Sequence, residues 1–306
     1  VTAVPSRDDI ARAAVAIAPH VRRTPVVEIG YGAGSRAHLK LELLQHAGSF
    51  KPRGAFTTVL AAPARPERLV AASGGNHGLA VAHVGRSLGI PAEIFVPVSA
   101  PVVKVDGLRA LGAQVHLVGA TFAEAYAASL EVAGAPGSLA LHAYDAPGTV
   151  TGQGTLAVEL EQDLPDLDTV VVAVGGGGLA GGVAAWFAGT STRVVAVEPT
   201  GCPTLHEALA AGAPVDVAPS GVAADSLGAS RIGAIGFAAL RDATSVLVDG
   251  ADVVEARRWL WRETRLLAEP GGAAAMAALL SGAYVPARDE RVAVVVCGGN
   301  SDPADL

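Results

Sequence analysis

TVVVAVGGGGLAGG, residues 169–182, runs from a Val-rich segment straight into a row of glycines and on into small residues that suit a helix. A near-continuous apolar run without polar alternation is a strand buried on both faces, the habit of a parallel sheet covered by helices. The uncharged stretch continues to Thr192 and is long enough to imitate a membrane span. Glycines fill its middle and no basic cluster flanks it, so strand, loop and helix describe it better than a lipid-facing helix. The same alternation recurs on either side. LVAAS (69–73) precedes a helical run over 76–88, EIFVP (93–97) one over 102–111, QVHLV (114–118) one from Thr121, and LALHA (139–143) one near Gly154. RVVAVE (193–198), TSVLVD (244–249) and VAVVVC (292–297) are the later strands. At the start, Ser6 and Asp9 form a capping-box pattern for a helix ending near Pro19, and TPVVEI (24–29) and HLKLEL (38–43) are short strands around a Gly-containing turn. About a dozen strands are too many for one compact open sheet, so the pattern predicts an α/β protein with two mainly parallel sheets in two domains.

Composition narrows the function. The chain has 306 residues, 51% of them hydrophobic and 17% charged, which excludes disorder and supplies a large core. A formal net charge of -7 without any Lys/Arg block argues against nucleic-acid or anionic-membrane partners. Two cysteines, Cys202 and Cys297, make neither a disulfide framework nor a four-cysteine zinc site. Asp8, Asp9 and Arg12 break the apolar run near the N-terminus, which is not read as a secretory signal, and a cytoplasmic location is expected. Only three lysines occur, Lys40, Lys51 and Lys104. Chemistry that needs a side-chain amine able to lose its proton therefore has three candidates, because Arg stays charged.

Four segments carry chemistry. In GSFKPRGAF (48–56), Lys51 follows an aromatic residue and precedes Pro-Arg-Gly. On composition alone this is a solvated loop; alternatively Lys51 is an amine nucleophile held where it can form a Schiff base, with the Phe50 ring beside it. SGGNHG (73–78) joins a strand end to a helix start, where small residues expose backbone N–H groups to a carboxylate or phosphate, or simply make a turn with an Asn cap. In GGGGLAGG (175–182), four consecutive glycines let the backbone wrap a phosphate at a helix N-terminus. Here Gly176, Gly178 and Gly181 also satisfy G-x-G-x-x-G, and Glu198 ends the next strand, so this segment alone favours NAD. CGGN (297–300) ends the last strong strand, with Cys297 either a core thiol or one facing a ligand at the carboxyl edge of the sheet.

Together and in this order, the four segments resemble the fold-type II enzymes of pyridoxal phosphate, and among them the serine/threonine dehydratases. TGQGT (151–155), VEP (197–199), ADS (224–226) and EPGGAAAMAAL (269–279) extend the resemblance over nearly the whole chain. Pro52 follows Lys51, where related sulfhydrylases and threonine synthases typically have an acidic residue, which favours the dehydratase branch. The resemblance implies that Lys51 forms the Schiff base with pyridoxal 5'-phosphate. Phe50 would lie against the pyridine ring, Asn76 would hydrogen-bond the ring hydroxyl, and the amides of Gly175, Gly176, Gly177, Gly178 and Leu179 would hold the phosphate. Ser73, Gly74, Gly75 and Asn76 would receive the substrate carboxylate. Cys297 would meet the pyridine nitrogen as a neutral thiol, which does not hold that nitrogen protonated and so helps expulsion of a β-leaving group over transamination. It also implies a large cofactor-binding domain, residues 1–60 and 145–306, a small α/β domain inserted at 61–144, the cofactor in the cleft between them, and a homodimer.

The activity expected is dehydration and deamination of a β-hydroxy amino acid such as L-threonine or L-serine to a 2-oxo acid and ammonia, with Lys51 as the base at the α-carbon. Alternatives are elimination on 3-hydroxyaspartate, phenylserine or diaminopropionate, racemisation of serine, or, from a different class, an NAD-binding oxidoreductase. The latter leaves SFKPRGA and CGGN unexplained. Two departures bear on the alternatives. Serine racemases of this group carry a second Ser where this chain has Gly74, and their divalent-cation site pairs the Glu of Glu-Pro with an Asp six residues on. Glu198 is present as a candidate ligand, but position 204 is Thr, so no metal site is expected. Ser226 also replaces a common Gly, with an effect expected at the cofactor's edge. Lys40, alternating with apolar residues, is expected on the solvent side of its strand, and Lys104 on an exposed helix face.

Overall fold

A computed structural model describes residues 3–32 and 34–305. The elements in chain order are α1 (Arg7–Ile17), β1 (Val26–Tyr31), β2 (Ser35–Lys40), α2 (Lys51–Leu60), β3 (Arg68–Ala72), α3 (Asn76–Leu88), β4 (Ala92–Val96), α4 (Val102–Ala110), β5 (Gln114–Leu117), α5 (Phe122–Ala133) and β6 (Ser138–Ala140). They continue with α6 (Pro147–Asp163), β7 (Thr169–Ala173), α7 (Gly178–Phe187), β8 (Arg193–Pro199), α8 (Thr204–Ala211), α9 (Ala224–Leu227), α10 (Ala234–Ala239), β9 (Thr244–Val248), α11 (Gly250–Thr264), α12 (Pro270–Leu280) and β10 (Val292–Val295). Helix starts follow local chemistry. Ser6 and Asp9 close a reciprocal capping box on α1, and Thr121 and Glu124 do the same on α5.

Among the described residues, ten strands form two sheets. One runs β1-β2-β10-β7-β8-β9 and the other β5-β4-β3-β6. Only the β1–β2 hairpin is antiparallel; every other pairing is parallel. The six-stranded sheet draws on both ends of the described chain, and the four-stranded one on residues 68–140. Val170, Val171 and Val172 of β7 are fully buried, as their unalternating sequence requires. LALHA gives a strand only as far as Ala140, and the helix expected near Gly154 begins earlier, at Pro147. Pro is favoured at a helix start because the N–H it lacks would have no intrahelical partner there. Among the described residues, no helix is long and apolar enough to cross a membrane.

Two lysines depart from the sequence reading. Lys40 is not solvent-facing: it is 0% exposed, its amine donating to Glu159 Oε2 at 2.5 Å and to the Thr24 carbonyl at 2.7 Å. Its neighbour in this arrangement is Arg53, 1% exposed, whose guanidinium grips both oxygens of Glu42 at 2.8 Å and Glu159 Oε1 at 2.8 Å. Two cations and two carboxylates thus neutralise one another in the interior, linking the end of β2, the turn at 42–44, α2 and α6. Burial pushes the Glu42 carboxyl up, but the adjoining guanidinium more than offsets it and leaves the group below its usual value. Lys104 lies on α4 but is not an isolated surface cation, since it pairs with Asp225 of α9.

Removing one partner from such a cluster leaves a buried charge uncompensated. Arg53→Met is expected to cost about 3–5 kcal/mol in chemical denaturation. Lys40→Met, which leaves Arg53 to serve both carboxylates, is expected to cost less.

Candidate active site

Lys51 opens α2, and the chain before it is fastened to CGGN. Phe50 N–H donates to the Cys297 carbonyl at 3.1 Å, Gly299 N–H to the Gly48 carbonyl at 2.9 Å, and Ser49 bridges Gly298. Gly48 has φ +73°, and a Cβ there would come within 2.3 Å of Asn300 Oδ1, so this turn requires glycine. The Lys51 amine donates to the Ala143 carbonyl at 2.7 Å and lies 5.1 Å from the centre of the Phe50 ring. Burial lowers its pKa to about 8, so about a tenth of the amine is neutral at pH 7, far more than for an ordinary lysine.

SGGNHG links the carboxyl end of β3 to α3. Gly75 N–H donates to Ser73 Oγ at 3.2 Å, and Gly78 fits because a Cβ there would strike the Ser73 carbonyl at 2.0 Å. His77 is not a site base: burial takes its pKa down to about 3, and its Nε2 lies 2.8 Å from the Leu141 carbonyl, the distance of a hydrogen bond donated by the neutral ring. Asn76 is held at both ends of its amide. Its Nδ2 donates to Glu269 Oε1 at 2.6 Å, and its Oδ1 accepts from Asn300 Nδ2 at 2.7 Å. One Asn76 N–H is left over, and that is the proton a ring hydroxyl would use.

Cys297 is buried at the end of β10, its Sγ–H directed at the Gly271 carbonyl 3.4 Å away. Burial pushes the thiol well above its ordinary pKa, so it is neutral at physiological pH. Ser226 accepts from Gly271 N–H at 2.9 Å, so its hydroxyl is spent on the start of α12. The glycine row follows β7. Gly177 has φ +82°, and at Gly176 a Cβ would lie 2.2 Å from the Tyr144 ring, so a bare backbone is required there. The N–H groups of Gly175, Gly176, Gly177, Gly178 and Leu179 donate to no protein acceptor among the described residues. Unpaired donors at a helix N-terminus are an anion cradle.

The carboxyl ends of β3, β7 and β10 thus bring Phe50, Lys51, Ser73–Asn76 and Cys297 together. Ala143 and Tyr144 connect Lys51 to the glycine cradle. Glu198 does not join them. Its carboxylate accepts from Leu205 N–H at 2.7 Å and His206 N–H at 2.8 Å, capping α8 instead of facing a ribose or an open coordination site. Among the described residues, no group of three or more His, Cys, Asp or Glu side chains is placed to hold a metal. Donors for a phosphate, an amine for an aldehyde and a neutral thiol beside the ring position fit pyridoxal phosphate.

Two residues escaped the sequence reading. Glu269, at the head of EPGGAAAMAAL, fixes the Asn76 amide, and burial raises its pKa to about 7. Gly298 makes room for it, since a Cβ there would reach Glu269 Oε1 at 2.0 Å. Its only sequence signal was a carboxylate ahead of a Pro-Gly-Gly helix start. Tyr144 had none beyond an aromatic residue after a strand.

Comparison with known proteins points to the same cofactor. Residues 17–298 match the family described as pyridoxal-phosphate dependent enzyme. An L-threonine ammonia-lyase of Thermotoga maritima is 36% identical over 275 residues, 88% of this chain and 68% of that protein. The structure of maize serine racemase superposes with TM-score 0.91 at 31% identity, covering 99% of this chain and 97% of that one. The structure of a threonine deaminase from T.th. superposes with TM-score 0.90 at 33% identity, covering 97% of this chain and 99% of that one.

The Lys51 pKa gives a signed prediction for the cofactor-free protein. Between about 8 and 10.5 the unfolded chain holds a proton on Lys51 that the folded protein has lost. The unfolded state binds more protons there, so this residue's contribution makes stability rise with pH across that window. In chemical denaturation at a series of pH values, wild type should therefore gain stability relative to Lys51→Met as the pH is raised through that window. A difference between the two that stays constant with pH would contradict the lowered pKa.

Proposed function

The chain belongs to the fold-type II pyridoxal-phosphate-dependent enzymes, in the serine/threonine dehydratase family, and on that premise we propose that it dehydrates and deaminates a β-hydroxy amino acid such as L-threonine or L-serine, yielding a 2-oxo acid and ammonia. Pyridoxal phosphate, when bound, supplies an aldehyde that joins amines and a ring that draws electron density from the substrate α-carbon. The protein's part is to bind, orient and move protons. The free N–H groups from Gly175 to Leu179 are suited to the phosphate, the spare Asn76 N–H to the ring hydroxyl, and the Phe50 face to the ring itself. The Ser73–Asn76 turn offers its hydroxyl and backbone donors to the substrate carboxylate.

The observation that carries the reading is the Lys51 amine, with its pKa lowered to about 8 and directed into the site. Once neutral, Nζ takes the proton from the substrate α-carbon as general base. A neutral thiol at Cys297 would not hold the ring nitrogen protonated, which would favour expulsion of the β-hydroxyl over proton return. Gly74 offers no side-chain base. A Cβ there would border only Val96 at 3.5 Å and the Lys104 stem at 4.0 Å, and the Lys104 amine is engaged by Asp225. That supports elimination over racemisation. We read residues 61–144 as a small inserted domain, the remainder as the large one, and the enzyme as a cytoplasmic homodimer, in line with the family resemblance.

Incubation with L-threonine, L-serine, 3-hydroxyaspartate, phenylserine and diaminopropionate, followed by assay of 2-oxo acid and chiral analysis of the remaining amino acid, tests this. Release of 2-oxo acid from threonine or serine faster than any D-isomer appears, and abolished in Lys51→Ala, is expected. Faster formation of D-serine, or 2-oxo acid from none of these hydroxy amino acids, would sink the proposal.

A further inference from the structure

Glu198 and Thr204 lie behind the glycine cradle, away from Lys51 and the SGGNHG turn. Both are 0% exposed. The carbonyls of the glycine row are held from beyond it. Gly177 O accepts from Gly181 N–H at 2.8 Å, and Gly176 O from Gly233 N–H at 3.0 Å. Gly175 O accepts from the Thr204 hydroxyl at 2.5 Å. In a trans peptide the carbonyl and the following N–H share one plane and point in opposite directions. Each tie therefore aims the next N–H: Gly178 by the first, Gly177 by the second and Gly176 by the third. The first two ties are backbone to backbone. Thr204 is the one side chain in the set.

Thr204 is itself held. Glu198 accepts from the Leu205 and His206 N–H groups, which fixes the first turn of α8, and its Oε1 lies 3.0 Å from the Thr204 hydroxyl. A line of contacts thus runs from the end of β8, through the start of α8, to the first peptide of the cradle.

We propose that Thr204 is a positioning residue for the cofactor phosphate: by holding the Gly175 carbonyl it turns the Gly176 N–H into the cradle, with Glu198 as its buttress. The inference rests on the reading of Gly175–Leu179 as the phosphate site and adds a residue to it. A hydroxyl at position 204 then does for this loop what no backbone group is placed to do.

The test is a binding comparison on the purified, cofactor-stripped enzyme, titrated with pyridoxal 5'-phosphate and separately with pyridoxal, which lacks the phosphate. Thr204→Val removes the hydroxyl at nearly constant volume and should weaken pyridoxal phosphate about tenfold, the scale of one hydrogen bond to a charged group. Pyridoxal affinity should stay unchanged, because only the phosphate meets the cradle. Thr204→Ser keeps the hydroxyl and should bind both ligands as the wild type does. Undiminished pyridoxal phosphate binding in Thr204→Val, equal loss of both ligands, or a Thr204→Ser variant as weak as the Val variant would each overturn the proposal. Should Thr204→Val not fold, Thr204→Ala takes its place with the same deciding outcomes. Neither ligand is turned over, so the role of Thr204 can fail while elimination stands, and elimination can fail while Thr204 keeps its role.

Discussion

Arg53 sits two residues beyond Lys51 in the first turn of α2, its guanidinium sealed between the carboxylates of Glu42 and Glu159. A cation in that position cannot be left unpaired, so the turn at 42–44, α2 and α6 are held to one mutual arrangement. The helices then close on each other through glycine. A Cβ at Gly152 would strike the Arg53 carbonyl at 2.5 Å, and one at Gly54 would meet the Gln153 amide at 2.5 Å. The direction of Lys51 follows from this, because the helix that carries it has no freedom to turn. Lys40 completes the charge balance by serving the other oxygen of Glu159. Two of the three lysines are thus tied to this cluster, Lys40 by balancing its charge and Lys51 by sharing the first turn of α2 with Arg53.

The second organising feature is how the two sheets meet. Asn76, at the start of α3, bonds to Glu269 at the head of α12 and to Asn300 beyond β10. Those two contacts fix an amide with one N–H to spare, so the joint between the sheets is also part of the candidate site. Across the same junction, Lys104 and Asp225 make the one ion pair that links residues 61–144 to the rest of the chain among the described residues. The polar ties across this boundary are few and lie close to the chemistry.

The strands, the glycine row and the Lys51 segment were legible in the sequence because each rests on local pattern: unalternating valines, consecutive glycines, an amine between an aromatic residue and proline. The α3 boundaries, Asn76 to Leu88, follow from the glycines that flank them. Partnerships across long separations were not legible. Lys40 alternates with apolar residues as a half-exposed strand residue would, and its burial is made tolerable by the Thr24 carbonyl and by Glu159, 119 positions on. Glu198 satisfied the spacing of a ribose-binding acid, yet its oxygens are taken by backbone N–H groups of α8, which no spacing rule foresees. Glu269 and Tyr144 gain meaning only from what they touch. Ser226, read as a change at the cofactor's edge, accepts from Gly271 N–H, a partnership that no local pattern announces.

Under the proposed function one lysine amine of three, that of Lys51, would carry the cofactor, with the buried cluster beside it setting its direction. Borohydride reduction of the cofactor-loaded enzyme, followed by proteolysis and mass spectrometry, measures this directly. A single pyridoxyl phosphate adduct is expected, on the peptide containing Lys51. An adduct on Lys40, Lys104 or the N-terminal amine in place of Lys51, or no adduct at all, would contradict it.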